Sequence, residues 1–97
     1  MTTYYRGPHV LITDKVFLVR GPREMRFRLE LLHEACVACW PVGGRWWSRE
    51  WLRELRAFYG SHEVVLYRST DATVFGQIRR GLLRALEAQQ RRREQAA

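Results

Sequence analysis

Lysine is almost missing from this sequence: Lys15 stands alone among seventeen basic residues, and the other sixteen are arginine. No stretch approaches the run of about 20 apolar residues that a helix needs to cross a bilayer, so no membrane span is expected. The opening MTTYYRGPHV lacks the charged segment and following apolar segment of a secretory signal. Cysteine is scarce too, and two thiols without an export signal point to reduced cysteines in a cytoplasm. A soluble cytoplasmic protein is the expectation. No internal repeat is visible.

What is present fits one small folded domain. Its 97 residues are 46% hydrophobic and 12% aromatic, which separates the chain from disordered sequences. A chain of this size buries about 60–65% of its unfolded surface, enough for a modest core without disulfides. A single domain over 1–92 is expected, with 93–97 a frayed basic tail. The formal charge is +7. Arginine forks match phosphate, so a nucleic-acid or anionic-lipid partner is one source of the arginine bias. A GC-rich genome is the other. Arginine also stands beside acids, as at Arg53-Glu54, and that favours the genomic source.

Along the chain, HVLITDKVFLVRG carries the clearest β pattern. Two β-branched runs, 10–13 and 16–19, flank Asp14-Lys15, a two-residue connection suited to a hairpin. Both faces of the second run are apolar, which places it inside the fold. YYRGP reads as an extended lead-in, and Gly21-Pro22 closes the unit. Residues 24–40 are ambiguous. They form either a helix with Met25, Leu29, Leu32, Cys36 and Cys39 or Trp40 on one side, or two short strands broken by a turn. SREWLRELRAFYG has local helix features: Ser48 as N-cap, Trp51, Leu55 and Phe58 at i, i+4 and i+7, and Gly60 as a stop. Its last part also alternates with period two. EVVLYRS reads as a strand. Thr70 or Asp71 then caps a closing helix with Val74 or Phe75, Ile78, Leu82 and Leu86 as its apolar stripe, fraying after about Arg91.

Two stretches carry a resemblance. YYRGPHVLITDKVFLV resembles the opening of a family of small actinobacterial proteins of unassigned function. ELRAFYGSHEVVLYRSTDATVFGQIRRGLLRALE resembles that family's closing block: an alternating strand, a glycine turn, a strand ending L-Y-x-S, a D-x-x-x-F-x-Q link and an arginine-rich helix. Together these cover about half of the chain, and residues 22–50 match only loosely. The opening also looks like the first hairpin of bacterial pleckstrin-homology-like domains, whose strongly bent sheet is closed by one C-terminal helix. The resemblance implies that 51–59 is a strand, against its local helical pattern, and it brings no catalytic residues. The expected fold is therefore α+β, a strongly bent antiparallel sheet or partial barrel closed by one helix. The alternative is a β-hairpin and a strand packed with three helices at 24–40, 48–59 and 71–92.

Several constellations were candidates for chemistry. His33, Cys36 and Cys39 have the spacing of three zinc ligands on one helix face, but a structural site needs four, and only the isolated His9 or His62 is left to complete it. On a strand, Cys36 points away from the other two. As a redox pair the C-x-x-C sits at the wrong end of its segment, before Trp40-Pro41. Two small apolar core thiols are the simpler expectation. No nucleophile elbow, paired acidic motif or phosphate loop is present, so neither catalysis nor a cofactor is expected.

The tryptophan cluster RWWSREW stands out. Arg45, Trp46, Trp47, Arg49 and Trp51 suit either an exposed partner-binding surface or a plug for the end of a small barrel. The last helix carries Arg79, Arg80, Arg84, Arg91, Arg92 and Arg93, which suit anion or nucleic-acid contacts or a solvated outer face. The leading expectation is a non-enzymatic interaction module. It binds a protein or peptide, or its own copy as a homodimer, through loop 43–51 or a sheet edge. A nucleic-acid or anionic-surface binder is the rival, and a small-molecule binder associated with secondary metabolism is the third class.

Overall fold

The computed structural model describes residues 1–47 and 49–96. Four short strands open the chain: β1 (Thr3–Arg6), β2 (Val10–Thr13), β3 (Val16–Val19) and β4 (Met25–Arg28). They form one antiparallel sheet in the order β1-β2-β3-β4. The β2–β3 turn falls at Asp14-Lys15, where the Thr13 hydroxyl accepts from the amides of Lys15 and Val16, each at 3.2 Å. Because β3 is flanked on both sides, Phe17 and Leu18 are both buried although they point to opposite faces.

A 3-10 turn at Leu29–Leu31 leads into three longer strands: β5 (Leu32–Pro41), β6 (Trp51–Tyr59) and β7 (His62–Ser69). These make a second antiparallel sheet in the order β5-β6-β7. The turn is tied to both halves, since Leu29 donates to the Lys15 carbonyl and the Gly60 amide donates to Leu31, each at 2.9 Å. Across the seam, the Phe27 ring meets Tyr59 edge-on at 5.3 Å, and the Arg28 amide donates to the Tyr59 hydroxyl at 3.3 Å.

One helix, α1 (Ala72–Ala96), closes the fold. Asp71 is its cap: Oδ1 accepts from the amides of Thr73 (3.0 Å) and Val74 (3.1 Å). The helix lays Phe75, Ile78, Leu82 and Ala85 onto a core shared by both sheets, with Ile12, Phe17, Leu29, Leu55 and Leu66. At Gly81 the helix lies close against the first sheet. A Cβ there would lie 3.1 Å from Tyr5 Cβ and 3.2 Å from the Tyr4 carbonyl oxygen.

The fold is thus α+β, with two antiparallel sheets of four and three strands plus one C-terminal helix. The described residues form two sheets and no closed barrel. The three-helix alternative is overturned. Residues 24–40 hold β4, the 3-10 turn and most of β5, and 51–59 is the central strand β6. Pairing on both edges outweighs the local helical pattern of 51–59, and its buried apolar residues, Leu55 and Ala57, stand two apart. The expected cap at Ser48 lies outside the described residues. Instead of fraying after Arg91, α1 continues to Ala96, held by Arg92 and Arg93. Arg92 donates to the Asp14 carbonyl at 2.9 Å, and Arg93 donates to the Glu30 carbonyl.

Candidate functional site

The β5–β6 hairpin concentrates the apolar surface. Of the eight exposed large apolar side chains among the described residues, six lie between Leu31 and Trp47: Leu31, Val37, Trp40, Val42, Trp46 and Trp47. They fall at the end of the 3-10 turn, on β5 and in the loop that follows it.

Local geometry explains the loop. After Pro41 the chain makes a 3-10 turn at Val42–Gly44, and the Val42 amide donates to the Glu50 carbonyl at 3.0 Å, closing the loop at its neck. Gly43 and Gly44 both have positive φ (75° and 72°), which side-chain-bearing residues rarely adopt. Beyond them Trp46 and Trp47 pack edge to face at 5.7 Å yet remain 76% and 64% exposed. They plug no barrel end. Trp51, on β6, is half-buried, and Arg45 and Arg49 are exposed beside the pair.

Strand β5 is an edge, bonded to β6 on one side only. Its register with β6 slips between His33 and Cys36, where Glu34 has φ 54° and two residues stand opposite Ala57. The bulge resets the alternation. His33 opposite Phe58 and Cys36 opposite Arg56 now share a face, and Cys39 opposite Arg53 takes the other. The trio cannot close around one ion. Among the described residues no group of three or more His, Cys, Asp or Glu could hold a metal. His33 is engaged locally, with Nε2 3.0 Å from the Gly60 carbonyl and its ring edge-on to Phe58. Both cysteines are exposed free thiols, so their expected place in the core is corrected. An edge strand running beyond the shared core leaves its side chains in solvent.

On the Cys36 face sits a feature that sequence reading missed. Glu54 is 3% exposed, although it is charged and on the central strand. Arg56 Nε and Nη2 donate to its Oε1 at 2.9 and 2.7 Å, and Arg68 Nη2 lies 2.9 Å from Oε2. The bond to Glu54 is the main cause that raises the Arg56 pKa above its ordinary value, so Arg56 stays charged. The same guanidinium lies over the Trp40 ring at 5.9 Å and 3.7 Å from Glu63. This network lies beneath Trp40 on the same face of the hairpin. The only advance signal was the same-face spacing of Glu54 and Arg56 in a strand.

The arginines named from sequence do not form one surface. Arg92 and Arg93 dock the end of α1 at Asp14 and Glu30. From that end, ten residues of β5 carry the chain roughly 30 Å to the tryptophan loop, at about 3.3 Å per residue. Arg80, Arg84 and Arg91 share the outward side of α1 by their 100° spacing, with Glu87 and Glu94 interleaved. Arg79 is exposed at the flank of that stripe. A cavity of about 560 Å³ opens at the surface between the β2–β3 turn and α1, with Lys15, Arg28, Glu30 and Arg92 among its lining. Arg28 is paired with Glu30 there, and Arg92 is held by Asp14 and Gln89. No protein-family model, curated protein or solved structure matches the chain, so its site is read from its own geometry.

Proposed function

We propose that this chain is a non-enzymatic protein-interaction module of pleckstrin-homology-like form, which docks a protein or peptide on the β5 edge and the tryptophan loop. One observation carries the reading: most of the exposed large apolar side chains fall on one edge strand, the turn before it and the loop that follows it. An unpaired edge offers a row of amides and carbonyls to an incoming strand, and the flanking tryptophans supply anchors. The four-plus-three strand order with a closing helix supports the pleckstrin-homology-like form. Arg45 and Arg49, both exposed, also support the rival, a nucleic-acid or anionic-surface binder that contacts phosphate through these arginines and those of α1.

A display library of short random peptides tests the proposal, beside a fluorescent DNA duplex titrated at low and high salt. Selected peptides should lose at least tenfold in affinity on Trp47→Ala or Val37→Lys and bind equally well in high salt. Duplex binding that weakens steeply with salt, survives Trp47→Ala and falls when Arg91, Arg92 and Arg93 are replaced together would favour the rival.

A further inference from the structure

We infer that the occupant of the β5 edge is a second copy of this chain, added antiparallel across a two-fold axis at Ala38; this rests on the docking surface proposed above.

Charge argues first. The chain carries +7, so two copies repel over most of their surfaces. From Ala35 to Pro41, ACVACWP, the edge strand has no charge at all. Protein edges that must stay single are blunted by lysine, an inward charge, proline or a bulge. Here such devices stand only at the two ends, the bulge at Glu34 and Pro41, and the six residues between are open.

Symmetry then limits the register. A two-fold axis perpendicular to the sheet keeps every side chain on its own face. Residue i must therefore meet a residue of like face, and the axis passes through one residue that meets itself. The uncharged segment 35–41 has Ala38 at its midpoint. In that register Cys36 meets Trp40 of the second copy, Val37 meets Cys39, and the small Ala38 meets Ala38. Continuing outward, the loop after Pro41 of each copy comes alongside residues 29–34 of the other. Exposed Leu31 is there for Trp46 and Trp47, and exposed Glu34 for Arg45. The surface is complementary to itself in both charge and apolarity.

Area agrees. The six exposed apolar side chains offer on the order of 600 Å² per copy, taking aromatic side chains at the upper end of their usual area. A specific interface needs about 800 Å² per partner. The backbone and small side chains of the strand edge supply the rest.

The test uses the full chain. Sedimentation velocity across a concentration series should show a dimer that persists in high salt. Val37→Lys should weaken it by at least about a hundredfold, because each dimer then buries two unpaired ammonium groups. Single-cysteine variants in a Cys36→Ser, Cys39→Ser background then read the register under mild oxidation. Ala38→Cys should cross-link fastest, because two residues facing each other across antiparallel strands have Cα atoms about 4.5–5.5 Å apart, within disulfide reach. Cys36 alone should not cross-link, since four residues of offset put it roughly 13 Å from its own copy. A dimer that cross-links faster elsewhere than at Ala38→Cys overturns the inference, as does a chain that stays monomeric at every concentration. If that monomer still binds library peptides in a Val37- and Trp47-dependent way, the docking surface stands and only the second copy falls.

Discussion

The seating of α1 on the first sheet can be tested by changing one glycine at a time. Gly76 and Gly81 are both inside the helix, where alanine is favoured over glycine by about 1 kcal/mol. At Gly76 an added Cβ meets only the flexible end of Arg80, at 3.4 Å. The helix gain is therefore kept, and Gly76→Ala should stabilise the fold by about 0.5–1 kcal/mol. At Gly81 the added Cβ meets Tyr5 Cβ at 3.1 Å, the Tyr4 carbonyl oxygen at 3.2 Å and Ile12 Cδ1 at 3.3 Å. One of these is backbone and another belongs to a fully buried side chain, so none can swing away. Overpacking of this kind costs about 1–3 kcal/mol, which exceeds the helix gain. Gly81→Ala should come out destabilised by about 1 kcal/mol, and Gly81→Val by more than about 3 kcal/mol. In a domain of this size 1 kcal/mol moves Tm by roughly 4–8 °C, so the two alanine variants should melt on opposite sides of the parent. Urea titration followed by circular dichroism measures the pair directly. Equal stabilisation by both alanines would refute the close seating of α1 on β1 and β2.

Three further outcomes follow from named contacts. Asp71→Ala deprives the Thr73 and Val74 amides of their acceptor and should cost about 1 kcal/mol in the same urea titration. Replacing Trp46 and Trp47 together by Phe should remove most of the iodide-quenchable tryptophan emission, because these two are the most exposed of the four; an unchanged quenching slope would contradict their exposure. In dilute native protein both Cys36 and Cys39 should react with a thiol reagent, more slowly as the protein is concentrated. Neither should form a disulfide within the chain, since three residues of strand put their Cα atoms about 10 Å apart, beyond disulfide reach.

Where residues carry their own punctuation, the sequence was legible. Val10–Thr13 and Val16–Val19 are strands with the expected turn at Asp14-Lys15, and Asp71 caps the closing helix as one of its two candidates. The middle was illegible for a physical reason. A bulge at Glu34 breaks the alternation of β5, so the strand shows no period of two over its length. In 51–59 the apolar spacing suits a helix equally well, and only the partners on both edges decide. The tryptophan loop was legible as a residue type, but its exposure was not, because that depends on where β5 and β6 outrun the core. Glu54 was harder still. Its second cation, Arg68, lies on the next strand and comes near only through the β6–β7 register.

The cysteines teach the converse. Their small apolar side chains pointed to the core, and they stand in solvent because β5 is an edge. In a chain that places arginine across most of its surface, a charged residue says little about any one site. An uncharged exposed run says more, because a lone edge strand is normally protected by charge. Seven uncharged residues, Ala35 to Pro41, four of them exposed and three half-buried, lie between a buried Glu54 network on the neighbouring strand and a pair of exposed tryptophans in the following loop. The network touches β5 through Arg56 over the Trp40 ring, and the two tryptophans stand exposed beyond the end of the strand. In so basic a protein, an uncharged edge is the surface on which the proposed pairing meets least repulsion.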